Sequence, residues 1–305
     1  MEADAAEPEL SQAFRGVRRL LLASSLAEAA FGLAFPFLGI RIVWNSVLGT
    51  LACIFVLGVA LYIYRKRRRS APIQTTIEAV LWAFALSNLF ILPMYVLVRL
   101  PIALHDDWLA RADAAFGLDV HVLTTVVRGH ATWPLDALTF AYESLTLFSV
   151  LGLALPALMK RADAVRDLLV ALVIGIWTSL AVLLVLQAIG PWVLSGARPL
   201  GAQRELEAAI HALKAGKPAP IDWSSPDPLI AFPSWHAELA TISALTFARI
   251  PRLRWPGLVW GLLIVLSTWT TGWHYFWDTI GGVAFASGAL LLARRIGRKV
   301  DAAQA

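Results

Sequence analysis

The chain has 305 residues, of which 58% are hydrophobic and only 15% charged. Soluble domains carry roughly 25% charged residues, and a soluble fold of this length has too little interior to hide so much apolar surface, whereas a bilayer solvates it directly. The net charge of +5 would suit a nucleic-acid binder, but the basic residues flank apolar runs, which is a membrane-topology pattern.

The first ten residues are acidic, and the first apolar run does not end in small residues, so no cleavable signal peptide is expected. Eight apolar segments, each near the ~20 residues that a helix needs to cross hydrocarbon, are expected at about 19–39, 43–64, 76–98, 133–158, 167–188, 230–248, 256–272 and 277–293. The first carries Glu28 and Pro36, and the last two are short. Cys53, the one cysteine, lies in the second segment and reads as a small buried hydrophobe. Lys and Arg cluster at residues 15–19, 65–69, 160–166, 249–254 and 294–299. With the N-terminus inside, all these clusters fall on the cytoplasmic side, and an odd number of spans would break the alternation.

Two long connections then lie outside. Residues 99–132 have apolar side chains at helical spacing and are expected to form a helix in the interface plane. Residues 189–229 are rich in Gly, Pro and charge, and loops of this length are usually functional or disordered. The fold class expected is all-α: a polytopic membrane protein with no internal repeat. Glu78, Asn88, Tyr142 and Glu143 inside the spans read as helix–helix bonding groups, with acceptor binding as the alternative, and Gly281 and Gly282 as sites of close helix packing.

Six histidines occur. His105, His121, His130 and His211 fall in the outer loops and read as solvated or interfacial. His236 opens the sixth span behind Ser234, a good N-cap, at a helix start whose free N–H groups suit an anion. His274 lies between the seventh and eighth spans with Asp278 at i+4, a spacing that on a helix sets a carboxylate beside an imidazole and fixes its tautomer. The topology brings Arg198, Ser234, His236, His274 and Asp278 to one surface. Two His and one Asp suit zinc poorly without a further nitrogen or sulfur ligand nearby. Trp235, Trp273 and Trp277 read as belt aromatics, with a lipid lining as the alternative.

At these residues the chain resembles the type 2 phosphatidic acid phosphatase superfamily. Pro233, Ser234, Trp235 and His236 match its Pro-Ser-x-His motif, and Ser267, residues 269–273, His274 and Asp278 match its Ser-Arg-x5-His-x3-Asp motif, with Thr268 in the Arg position. Of the Lys-x6-Arg-Pro motif, Arg198-Pro199 is present and Pro191 stands in the Lys position. Arg204, Lys214 or Lys217 are candidate substitutes for the missing cations. Ser267-Thr268 ahead of Gly-x-His-Tyr-x-x-Asp, with the Phe116–Asp119 stretch, is similar to the branch of inositol-phosphorylceramide synthases and bacterial inositolphosphotransferase-like proteins.

The resemblance implies a six-helix catalytic membrane core at 76–296, a tail and two-helix extension at 1–70, and a cytoplasmic tail at 297–305. It implies a phosphohydrolase or phosphotransferase acting on lipid phosphate head groups at the extracytoplasmic face, in a bacterial plasma membrane, without metal or cofactor. An inositol-phosphate-type head group transferred to a lipid or alcohol acceptor, as in sphingolipid metabolism, is the finer expectation. His274 would be the nucleophile forming a phosphohistidine, Asp278 its orienting partner and His236 the acid–base. Ser234, Arg198, Ser267 and Thr268 would hold phosphate. The competing expectation is a lipid-phosphate-binding transporter or scaffold that has lost catalysis.

Overall fold

The structure, a computed structural model, describes residues 2–68, 70–118, 133–194, 201–223, 229 and 231–304. In chain order the elements are α1 (Glu2–Ala30), α2 (Phe35–Leu38), β1 (Ile40–Ile42), α3 (Trp44–Ile63), α4 (Ala71–Leu89), α5 (Ile91–Val98), α6 (Asp106–Ala115), α7 (Trp133–Glu143) and α8 (Leu145–Leu158). They continue with α9 (Ala162–Leu183), α10 (Gly201–Lys214), β2 (Ala219–Ile221), α11 (Trp235–Phe247), α12 (Arg254–Thr270) and α13 (Phe276–Gln304).

Each apolar segment of the sequence lies largely on helix, although 184–188 and 231–234 are not helical, and the helices differ in length. Among the described residues, five stretches are long and apolar enough to cross a bilayer: Gly16–Leu38, Trp44–Arg68, Ala71–Val98, Ala162–Leu183 and Phe276–Lys299. α7 and α8 meet at 52° and make a sixth if taken as one broken span. α11 and α12 have 13 and 17 residues, so length alone does not make each of them a full span. The start of α11 is set by the Ser234 cap after Pro233, and the turns at 248–253, with Pro251, end it. The chain is an all-α integral membrane protein, and the one sheet among the described residues is a two-stranded parallel pair.

α9 is the central helix, buried on nearly all sides, with α1, α4, α8, α11 and α13 packed around it. Small residues set the closest approaches. A Cβ at Gly282 of α13 would stand 2.4 Å from the Ser234 carbonyl oxygen, and one at Gly261 of α12 would stand 2.5 Å from Ala244 Cβ. α3 packs on one side only. Cys53 is therefore exposed on its outer face, where the sequence suggested burial.

The two ends of the bundle are built differently. At one end Arg249 pairs with Asp163 (2.5 Å) and Asp167 (2.7 Å), Arg161 with Asp163 (3.1 Å) and Arg166 with Asp167 (3.1 Å). Toward the same end Glu78 takes both Arg18 (2.5 Å) and Arg65 (2.6 Å), the helix–helix role expected of it.

At the other end the loops are stitched together by backbone. β1 pairs with β2 in parallel register, Ile40 opposite Ala219, and the Val43 N–H donates to the Ile221 carbonyl at 3.0 Å. The His105 N–H donates to the Gln187 carbonyl at 2.7 Å. α10 was not expected from the sequence, although Gln203, Leu206, Ile210 and Leu213, all buried, fall at helical spacing. Arg99 donates to the carbonyls of Leu213, Gly216 and Lys217 at its C-terminal end. Of the long connection 99–132, α6 is described, while 119–132, with Asp119, His121 and His130, lie outside the described residues.

Candidate active site

The two sequence motifs meet at this second end. Ser234 is the N-cap of α11: its Oγ accepts the Ala237 N–H at 3.3 Å, and its own N–H donates to the Asp278 carbonyl at 2.9 Å. Cap and contact together seat the start of α11 against the first turn of α13, and Gly282 permits the approach. The His236 and His274 rings are thereby 6.1 Å apart between centroids. Tyr142 of α7 stacks on His236 at 4.2 Å with the rings 8° from parallel, a contact with no signal in local sequence. The Nδ1 of His236 is buried and has no hydrogen-bond partner among the described residues.

His274 departs from the expected geometry. The chain is not yet helical there, since α13 begins at Phe276, so the i+4 helical relation to Asp278 does not apply. The Nδ1 of His274 instead lies 3.0 Å from the Ala231 carbonyl, and Asp278 Oδ2 stands 3.6 Å away, beyond hydrogen-bond length. A proton on Nδ1, donated to that carbonyl, leaves Nε2 with the lone pair. Asp278 Oδ2 accepts the Tyr275 N–H at 2.9 Å, and the carboxylate acts on the ring through space.

The turn between α12 and α13 is held from several directions. Gly272 has φ +75°, a left-handed conformation that glycine adopts at no steric cost. Gln203 of α10 donates to its carbonyl at 3.1 Å. Asp113 of α6 accepts the N–H groups of Phe276 (2.8 Å) and Trp277 (3.3 Å). Asp106 accepts those of Ile189 (3.0 Å) and Gly190 (2.8 Å) and the Tyr275 hydroxyl (3.2 Å). Burial pushes the Asp113 carboxyl up to about 6 against the pull of those two N–H groups, with Asp278 nearby adding to the rise.

Other expected residues fall elsewhere. Ser267 and Thr268 are fully buried, and their hydroxyls donate to the Ile264 (2.6 Å) and Val265 (2.7 Å) carbonyls of α12. Thr268 Oγ1 also meets Thr279 Oγ1 at 2.8 Å, so both residues are engaged in helix packing. The Lys214 amine donates to the carbonyls of Leu100 (2.9 Å) and Ile102 (2.6 Å) and to Gln187 Oε1, which commits this candidate cation to loop structure. Arg198 lies outside the described residues.

A cavity of about 510 Å³ opens below the two histidines. His236, His274, Trp235, Trp273, Ala231 and Trp192 form its head. Its walls run down between α4, α8, α9 and α11, past Leu145, Leu153, Leu168 and Leu172. Ser243 lies seven residues below His236 on α11, about 10 Å by helix rise. Trp235 and Trp273 thus line the cavity rather than an outer belt. No lysine or arginine lines it among the described residues, and no three His, Cys, Asp or Glu side chains there cluster as a metal site.

No curated protein and no solved structure matches the chain. A family model described as the PAP2 superfamily matches residues 107–292, from the start of α6 into α13. The match covers well over half of the 305 residues and takes in both histidines, Asp278, Tyr142 and Asp113, and the chain belongs to the PAP2 superfamily.

Proposed function

We propose that the protein is a membrane-embedded phosphohydrolase or phosphotransferase that works on lipid phosphates, with His274 as its nucleophile. Membership of the superfamily supports a phosphatase-like enzyme acting on such substrates. The observation that carries the reading is the position of the histidines at the head of an apolar chamber. A hydrocarbon tail lowered into it holds its phosphate at the rings.

In this reading His274 Nε2 attacks phosphorus while the Ala231 carbonyl keeps the Nδ1 proton. The bond from phosphorus to the leaving oxygen breaks, and His236 supplies that oxygen's proton. A ring separation of 6.1 Å leaves room for a near-attack contact of about 3 Å on one side and a hydrogen bond of about 3 Å on the other. Asp278 stabilises the positive imidazole that results. Water or an alcohol, deprotonated by His236, then attacks and breaks the N–P bond. Water gives hydrolysis. An alcohol gives its own phosphate ester: a monoester when the donor is a lipid monophosphate, and a diester when the donor is a lipid phosphodiester whose head-group phosphate is held on His274. Ser234, the first N–H groups of α11 and Arg198 hold the phosphate oxygens.

The catalytic unit is taken as 76–296, with 1–70 as an extension; the basic clusters support an extracytoplasmic face for the histidines, and a bacterial plasma membrane is part of the same reading. The finer reading, transfer of an inositol-phosphate-type head group, rests on the resemblance of residues 267–278 to inositolphosphotransferase-like proteins. The test is product analysis with purified protein and a panel of lipid phosphates, with and without inositol or another alcohol. His274→Ala is expected to abolish turnover, and full activity in that variant overturns the nucleophile. Binding without turnover by the unaltered protein favours the scaffold instead.

A further inference from the structure

We propose that Asp113 and Asp106 of α6 are positioning residues for His274, acting as a cap supplied to α13 from another helix. The inference rests on the reading of His274 as nucleophile.

A helix start leaves four N–H groups without partners inside the helix, and the residue before the first turn normally accepts from them with a short polar side chain. α13 begins at Phe276, and the residue before it is Tyr275, whose side chain does not serve this purpose. Half of a capping box is present within the helix. Asp278, at the third helical position, reaches back to the Tyr275 N–H at 2.9 Å. The missing half comes from 163 residues earlier in the chain. Asp113 takes the Phe276 N–H on Oδ2 and the Trp277 N–H on Oδ1, and it is 1% exposed.

Asp106 stands seven residues before Asp113, on the same face of α6 and about two turns away. It takes the Tyr275 hydroxyl, so residues 275–277 are gripped at three points by one helix. Leu109 lies on that face too. It is fully buried and packs with Tyr275 and Ala231, the residue whose carbonyl faces His274 Nδ1. One face of α6 therefore orders both the backbone that carries the imidazole and the acceptor that orients its ring.

A cap that only stabilised α13 would not need this arrangement beside the reacting ring. Misplacing a reacting group by about 1 Å costs on the order of 100-fold in rate. The test uses the full chain in detergent micelles with short-chain phosphatidate as probe, and measures kcat, KM and thermal stability. Asp113→Ala is expected to lower kcat about 10- to 100-fold at unchanged KM in protein that remains folded. Asp113→Asn, which keeps one acceptor, is expected to recover part of the loss. Asp107→Ala, at an exposed neighbour, is expected to match the unaltered protein. Wild-type kcat in Asp113→Ala overturns the proposal, as does a loss that follows only the fraction of folded protein. His274→Ala runs alongside, so failure of the nucleophile reading appears there and failure of the clamp appears in Asp113→Ala.

Discussion

The two ends of the bundle handle buried charge in opposite ways. At one end Asp163 and Asp167 meet arginines directly, and each carboxylate is matched by a cation. At the other, Asp106, Asp113 and Asp278 are all buried, more deeply than the half-exposed Asp163, but are held mainly by backbone N–H groups and one tyrosine hydroxyl, with no lysine or arginine bonded to them among the described residues. Ion pairs neutralise and finish a structure. Backbone dipoles hold a carboxylate in place and leave its negative charge uncancelled, which suits the positive imidazole that the proposed mechanism requires of His274. On the proposed reading, one end serves stability and the other chemistry.

The sharpest break of that contrast is His236→Ala, expected to lower turnover by at least about 100-fold through loss of the proton donor, with no change in thermal stability beyond that of a cavity mutation. A stability loss without an activity loss in the folded protein sinks the acid–base role. Next, Asp167→Ala at the opposite end removes the carboxylate that Arg166 (3.1 Å) and Arg249 (2.7 Å) share and is expected to cost about 1–3 kcal/mol of stability in a denaturation experiment. The folded fraction should keep its kcat.

The pH dependence sharpens the comparison further. Asp113 carries its full charge only above about 6, so on this account turnover rises as pH passes through that value, and Asp113→Asn removes the rise. Stability runs the other way. The folded-state value lies above the ordinary one near 4, so the folded protein binds the extra proton, and the contribution of this group to stability declines as pH climbs from about 4 to about 6. A pH–rate profile and a melting series over that window read the two trends separately. The smallest expected effect is at Tyr142. Tyr142→Phe keeps the stacked ring on His236 and should change kcat less than about twofold, while Tyr142→Leu, which lacks the aromatic face, should cost several-fold.

Much of the helical framework was legible because apolar runs and basic clusters are local signals. The pairing of the Pro233–His236 and His274–Asp278 segments followed from counting crossings between them. What escaped was tertiary. α10 is amphipathic, with Leu206, Ile210 and Leu213 inward, yet its flanking Gly and Pro made the whole connection read as loop. Asp278 does stand beside the His274 ring, 3.6 Å from Nδ1, but the helix starts two residues after the histidine, and the acceptor at bonding distance is the Ala231 carbonyl, 43 residues away and without a local signal. Asp113 was invisible as a site residue, since its partners are backbone N–H groups 163 and 164 residues away and any amino acid carries those. Thr268 looked like a substitute in a phosphate site, but a buried threonine bonds its own helix as readily as a ligand.

The short β1–β2 pair has a practical consequence for anyone making smaller versions of this protein. Cutting the chain near residue 70 looks harmless on a hydropathy plot, because the two leading helices read as an appendage. The cut would strip Ala219–Ile221 of its strand partner and take away the Ser46 hydroxyl that receives the Trp223 N–H at 2.8 Å. An unpaired edge invites association between copies. A shortened protein should therefore be designed with a replacement for Ile40–Ser46, or its loss of solubility will be mistaken for a property of the remaining helices.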